Sequence, residues 1–356
     1  MNPDTKPVHK LVHAARRDST VPRTVDASAQ VSAGHSFWVQ LPRPFFALAP
    51  MEDVTDAAFR ALIARYASSD VPRVFYTEFT SADGLVFADE HGQARLRAKL
   101  AFMPAERPIV AQLFTAHPER MEQAAARVAE LGFDGVDINM GCPDRTVEKQ
   151  GSGASLMKNP VLARELIRAA RQGAPHLPVS VKTRIGYSKD SEMEHWLGEL
   201  LAEKPAALAV HLRTRAEMSD VPAHWEWMSR AVAVRDTVSP ETRIMGNGDV
   251  RDLSDARQKA SETGADGIML GRAVFGNPWL FSDRAQLPTQ EERIAALIEH
   301  IKLFQEKLSG LVSEAVMKRH FKAYIHGWHG AAELRARLME TEGLDAALVI
   351  LSEMQE

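Results

Sequence analysis

From Phe45 onward the chain keeps a regular beat, in which short apolar runs alternate with longer stretches whose apolar positions recur three and four residues apart. The runs FFALA (45–49), RVFYTEF (73–79), PIVAQLF (108–114), GVDINM (135–140), PVSVKTR (178–184), ALAVHLR (207–213), TRIMGN (242–247) and DGIML (266–270) predict eight strands. Between them, segments such as DAAFRALIARY, PERMEQAAARVAELG and PVLARELIRAARQG predict amphipathic helices, often opened by a polar residue and closed by glycine. Strands that are apolar at nearly every position are covered on both faces, so the sheet is parallel and wrapped by helices. A unit of about 30 residues repeated in this way favours a closed (β/α)8 TIM barrel over an open sheet. No G-x-G-x-x-G follows the first strand, which leaves the doubly wound alternative unsupported.

After Phe281 the beat stops, and the remaining segments predict three or four helices with no strand between them. The expected organisation is an α/β barrel over residues 37–287 followed by a small C-terminal helical domain over 288–356, with residues 1–36 forming a flexible basic N-terminal arm. That arm carries Lys6, Lys10, Arg16, Arg17 and Arg23, interrupted by Pro3, Pro7 and Pro22, and has no signal-peptide core.

Composition narrows the class. With 356 residues, 45% hydrophobic, 25% charged and a formal net charge of -4, the chain reads as a soluble globular protein with no run long enough to span a membrane. Its single cysteine forms no internal disulfide and no multi-cysteine metal site, which fits a reducing compartment, the cytoplasm. Histidines are scattered, and HGWH offers two at a spacing that lacks further ligands, so no metal is expected.

In a barrel of this type the chemistry lies where the strands end. There the chain places Pro50 and Met51, Glu78, Gln112, Asn139 with Cys142, Lys182, His211 with Arg213, Asn247, and Gly271 with Arg272. Each alone is explained by capping or loop hydrogen bonding; together, on most strands, they point to a site. GNGDV and GRAVFGNPWLF follow the last two strands, where glycines that open the backbone beside an arginine suit a phosphate. An ammonium at Lys182 needs an anionic partner, either an electron-rich ring that gains charge on reduction or a barrel carboxylate such as Glu78. Cys142 is either an inert small hydrophobe or, in its Gly-Cys-Pro turn, a proton donor.

APMEDVTDAAFR, AQLF, DINMGCP with GSGASL, VKTRIGY, VHLRTR, GNGDV and GADGIMLGRAVFGNPWLF, in this order, closely resemble the flavin-dependent tRNA-dihydrouridine synthases, from about Phe45 to the C-terminus. The resemblance implies a barrel that binds FMN, NADPH as the reductant of the flavin, and a helical domain that grips tRNA. It further implies hydride transfer to C6 of a uracil ring and protonation of C5 by a cysteine, here Cys142. Carried over by motif, Pro50, Met51 and Glu52 would line the flavin, and Gln112 and Lys182 would bond its pyrimidine edge. His211, Asn247, Gly248, Asp249, Gly271 and Arg272 would hold its ribityl and phosphate groups. Asn139 would position the uracil, and Arg145, Arg213, Lys318, Arg319 and Lys322 would contact the RNA. Asp53 and Leu212 stand where the family usually has glycine.

A negative total charge does not advertise an RNA binder, but binding requires only a local basic face. The candidate is Lys318, Arg319, His320, Lys322, Tyr324, His326, Trp328 and His329, cations interleaved with rings, extended by Arg145, Lys149, Arg95, Arg97 and Lys99. The alternative is that Phe321, Tyr324 and Trp328, at helical spacing, are core. The expected partners are tRNA and NADPH, with no membrane and no metal, and the expected state is a monomer. A flavoenzyme acting on a free pyrimidine and an RNA-binding protein without turnover are the rival readings.

Overall fold

The computed structural model describes residues 36–354, so the expectation of a flexible arm lies, but for Ser36, outside the described residues. Eight parallel strands form the barrel: β1 (Phe45–Leu48), β2 (Arg73–Tyr76), β3 (Ile109–Phe114), β4 (Gly135–Met140), β5 (Val179–Arg184), β6 (Ala207–His211), β7 (Arg243–Asn247) and β8 (Gly267–Leu270). Each pairs with the next, β1 pairs with β8 through Leu48 opposite Leu270, and β2 pairs with β3 through Phe75 opposite Ile109, so the ring is closed. A two-residue bridge, Thr80–Ser81, continues the β2 side along β3. The second strand is thus shorter than its apolar run, because the chain bends at Thr77 and Glu78. There the Thr77 hydroxyl accepts from the Gln112 N–H (3.1 Å) and the Glu78 carboxylate from the Asp53 N–H (2.7 Å).

The helices start where side-chain caps satisfy their open N–H groups. Asp56 opens Ala57–Tyr66 by accepting from Phe59 (2.8 Å), Asn159 opens Pro160–Gly173, and Thr289 with Glu292 forms a capping box for Gln290–Leu308. No described helix is long and apolar enough to cross a membrane.

Strand register places one alternating set of side chains inside the ring. Phe45, Ala47, Val74, Tyr76, Val110, Ala207, Ala209, Met245 and Met269 form one apolar cluster there. Trp38, on the short helix Phe37–Gln40, joins this cluster at the amino-terminal end, 1% exposed, its carbonyl bound by Arg243 (3.0 Å). The same inward set continues on β3, β4 and β5 as Gln112, Asp137, Asn139, Ser180 and Lys182, with Gln112 opposite Asp137 and Asn139 opposite Lys182. One sector of the interior is therefore polar, and it lies beneath the strand ends.

The C-terminal helices Gln290–Leu308, Met317–Tyr324, Ala331–Glu340 and Leu344–Ser352 share a continuous core with the barrel, the first lying along Ala57–Tyr66. His300 and His320 meet in this joint with ring centroids 4.5 Å apart, and Phe59 stacks on His300 at 4.8 Å. Both histidines and Tyr324 are fully buried, and neither imidazole has a hydrogen-bond partner among the described residues. This corrects the expectation that His320 faces RNA and, for Phe321 and Tyr324, decides in favour of the core alternative, because the Met317–Tyr324 helix turns its 317, 320, 321 and 324 positions inward.

Burial holds His320 down to about 3 and His300 well below the usual histidine range. A depressed folded-state pKa means the unfolded chain takes up the proton first, so stability is lost as pH falls below the ordinary histidine value. Urea unfolding should show wild type losing about 1.4 kcal/mol relative to His320→Leu between about pH 7.5 and about pH 5.5. A difference that stays constant with pH would show that His320 is not held neutral by burial.

Candidate active site

A cavity of about 270 Å³ opens at the carboxyl ends of the strands. Pro50 and Met51 after β1, Lys182 on β5, His211 and Arg213 at the end of β6, Asn247, Gly248 and Asp249 after β7, and Gly271 and Arg272 after β8 all line it. Glu52 and Gln112 do not. Glu52 turns to Lys99 (Nζ to Oε1, 2.7 Å), and Gln112 is fully buried beneath the site with both amide atoms engaged.

The β7 and β8 ends form an anion cradle. Gly248 has φ +126°, and a Cβ there would lie 2.8 Å from the Ala223 Cβ, so only glycine fits. The N–H groups of Gly248, Asp249 and Gly271 donate to no carbonyl among the described residues and remain available to a ligand. Arg213 and Arg272 both bind the Asp249 carboxylate, which holds the two guanidiniums side by side at the cavity wall. Arg213 is 2% exposed and additionally donates to the Val221 carbonyl (2.6 Å), so it belongs to the cavity and not to an outer RNA face. Its Nη1 lies 3.1 Å from His211 Nε2. A guanidinium only donates, so Nε2 accepts and the imidazole proton sits on Nδ1. Burial, with Lys182 and the arginines around it, keeps His211 neutral, well below its ordinary pKa. Two guanidiniums, open amides and a lysine make a donor set that fits a phosphorylated, ring-bearing ligand such as a flavin mononucleotide.

Lys182 is pushed down to about 8 by burial and by Arg184, and Asp137 opposes that shift. Its barrel carboxylate is therefore Asp137. Glu78, named from the sequence for that role, instead faces Lys99 at 3.5 Å and is raised to about 7 by burial. Lys99, expected on an RNA face, is likewise buried between Glu52 and Glu78. Among the described residues the one convergent group of metal-type ligands is Glu52, Asp53 and Glu78, and the Lys99 ammonium already supplies a cation there.

Cys142 is half-buried in a loop fixed from several sides. Asn139 Oδ1 accepts from the N–H groups of Gly141 (3.1 Å) and Cys142 (2.9 Å), Ala154 N–H donates to the Cys142 carbonyl (2.9 Å), and Arg184 Nε donates to the Gly141 carbonyl (3.0 Å). Arg184 further binds the carbonyls of Thr214 (3.0 Å) and Met218 (2.8 Å), tying this loop to the one after β6. Burial pushes the Cys142 thiol up, so it carries its proton at neutral pH. Beyond it, Arg145 is exposed on the short helix Arg145–Lys149, whose Glu148 pairs with Arg215.

On the C-terminal helices Arg319 and Lys322 are exposed, and Lys318 donates to the Met339 carbonyl (2.8 Å). Together with Arg335, which the sequence did not single out, they frame an open groove floored by Ala332, Ala336 and Met339. Arg319 also lies 3.4 Å from Asp53, on the loop that follows β1. Asp53 has φ +56°, the left-handed conformation a glycine would adopt without strain. Asp137, Ser180 and Arg184 were also missed as site residues. The available signal was a polar or charged residue at the inward phase of a strand whose other face is apolar.

A closed barrel that gathers two arginines, a buried lysine and a protonated thiol at its strand ends defines a (β/α)8 enzyme with its site at that end. A profile of the family described as Dihydrouridine synthase (Dus) matches residues 47–355. The chain is 42% identical over 324 residues to the "Probable tRNA-dihydrouridine synthase 2" of Bacillus subtilis (strain 168), covering 90% of this chain and 97% of that one. It is 40% identical over 321 residues to the "Probable tRNA-dihydrouridine synthase" of Staphylococcus aureus (strain COL), covering 90% and 96%. The chain belongs to the dihydrouridine synthase family.

Gly153 closes the Cys142 loop with φ +62°, and a Cβ there would meet the Cys142 carbonyl oxygen at 2.7 Å and Val147 Cγ1 at 2.9 Å. Gly153→Ala is expected to cost about 1–3 kcal/mol in chemical denaturation. Unchanged stability would show that the loop relaxes without strain.

Proposed function

We propose that this protein reduces the C5=C6 bond of a uridine in tRNA, in the cytoplasm, with FMN as its bound cofactor and NADPH as the reductant. The observation that carries this reading is Cys142, a protonated and half-buried thiol on a fixed loop at the barrel end that also holds Lys182 and the anion cradle. Flavin bound there supplies the hydride that C6 receives. Everything else falls to the chain's own groups.

The cradle of Gly248, Gly271, Arg213 and Arg272 would hold the phosphate of the flavin, Pro50 and Met51 would line its ring, and the Lys182 ammonium would stabilise the charge such a ring gains on reduction. Cys142 donates its Sγ proton to C5, completing the saturated ring. The resulting thiolate lies in the field of Lys182 and Arg184, both of which favour the anion, and it is reprotonated from water. Arg184 and Asn139 keep the donor in place by holding its loop.

A uridine inside a folded tRNA has to leave its stack to reach this pocket, which costs a few kcal/mol and calls for a grip on the surrounding RNA. The helices from 288 onward, with Arg319, Lys322, Lys318 and Arg335 around one groove, supply that grip, and Arg145 extends it beside the catalytic loop. The barrel over 37–287 carries the chemistry.

Cys142→Ala should take up flavin as wild type does and lose dihydrouridine formation by about 100-fold or more, read by nucleoside mass spectrometry. An undiminished yield would remove Cys142 as the acid. Arg272→Ala should weaken flavin affinity by about tenfold or more in fluorescence titration, and an unchanged affinity would displace the phosphate from this cradle.

A further inference from the structure

Beneath the site, the polar sector of the barrel interior forms one continuous hydrogen-bond chain. Ser180 Oγ donates to Asp137 Oδ1 (2.6 Å), and Gln112 Nε2 donates to Asp137 Oδ2 (2.7 Å). Asn139 Nδ2 donates to Gln112 Oε1 (3.0 Å), and Asn139 Oδ1 receives the N–H groups of Gly141 and Cys142. Asp137 and Gln112 are fully buried, Ser180 is 1% exposed and Asn139 7%. The chain therefore runs through the buried barrel interior from β5 across β4 and β3 and back to the catalytic loop.

Its direction is not free. An ionised carboxylate only accepts, so Gln112 has to present its NH2 to Asp137 and its oxygen to Asn139. Asn139 in turn has to present its NH2 to Gln112, which leaves its oxygen for the loop. Were both amides reversed, two donors would face the N–H groups of Gly141 and Cys142, and the loop would lose its anchor. Lys182, the charge that faces Asp137, favours the ionised form and so favours this direction. We propose that Asp137 is a positioning residue for proton delivery: it fixes the polarity of the Gln112–Asn139 relay and thereby holds Cys142 where its thiol reaches the substrate.

This inference rests on the reading of Cys142 as the proton donor, and the experiment separates the two. Flavin-loaded, full-length protein is reduced anaerobically and mixed with an unmodified tRNA transcript, and single-turnover dihydrouridine formation is followed. If wild type forms none, the functional reading fails and the inference falls with it. With wild type active, Asp137→Ala should slow the step by about tenfold or more while the tRNA Kd stays within about twofold.

Asp137→Asn separates positioning from charge. Both variants lose the counter-charge to Lys182, but the asparagine oxygen can still accept from Gln112, so Asp137→Asn should recover much of the lost rate. Asp137→Asn as slow as Asp137→Ala would overturn the proposal, as would an Asp137→Ala rate within about twofold of wild type. Because Asp137 acts through Asn139, adding Asp137→Ala to Asn139→Ala should change the rate by less than about twofold, whereas a fully multiplicative loss would overturn it. Should Asp137→Ala fail to retain flavin, Gln112→Ala, which cuts the same relay between Asp137 and Asn139, carries the cycle with Asn139→Ala: a loss of about tenfold or more that does not multiply with that of Asn139→Ala supports the proposal, and a rate within about twofold of wild type or a fully multiplicative loss overturns it.

Discussion

A carboxylate and an ammonium, Asp137 and Lys182, share the interior of a closed ring of strands, and the arrangement of the site follows from accommodating both. Neither charge is tolerated there alone. Asp137, raised to about 6 by burial, is held ionised by hydrogen bonds from Ser180 and Gln112 and by the field of Lys182. Lys182, lowered to about 8, is kept by that carboxylate and faces a cavity fitted to an anionic ligand. The polar half of the barrel is thus a charge-balanced bed under the reactive loop, while the apolar half, sealed below by Trp38, supplies the stability.

The same bed explains why one thiol can be both held and reachable. The Cys142 loop hangs on Asn139 from below and on Arg184 from the side, and it folds tightly over Gly153. Its thiol stays half-buried without entering the core. Fixing the backbone and leaving the sulfur open is what a proton donor requires, since misplacement by an ångström is costly in rate. In the proposed reaction such a donor is needed, because hydride transfer supplies only one of the two hydrogens added across C5=C6.

Much of the fold was legible because parallel strands buried on both faces write themselves as short apolar runs, and the runs at 108–114, 135–140 and 242–247 became strands almost to the residue. The meeting of Gly248, Gly271 and Arg272 at the cavity was legible as well, since all three directly follow the last two strands, and Gly248 answers to a positive φ that its local sequence sets. Partners across the barrel were not. Glu78 was the example given of a barrel carboxylate for Lys182, and the structure brings Asp137 near it instead, because which side chains meet across strands depends on a register that the alternation of one strand cannot supply. The helical face of His320 and Tyr324 was ambiguous for a related reason: cations and rings alternated along the sequence, and only the packing against Phe59 and His300 decided which of them turned inward. Asp53 shows the limit at a loop. Its identity signalled a departure from glycine, yet it keeps the left-handed backbone and uses its side chain toward Arg319, linking the C-terminal helices to the rim of the cavity.

The most direct measurement is the mass of tRNA nucleosides after a transcript free of modification is incubated with the purified protein, flavin and NADPH. A defined uridine is expected to gain two hydrogens and become 5,6-dihydrouridine, while an equal concentration of free uracil is left untouched. A protein that binds flavin and oxidises NADPH yet leaves every uridine of the transcript unreduced, or that reduces the free base instead, would contradict it.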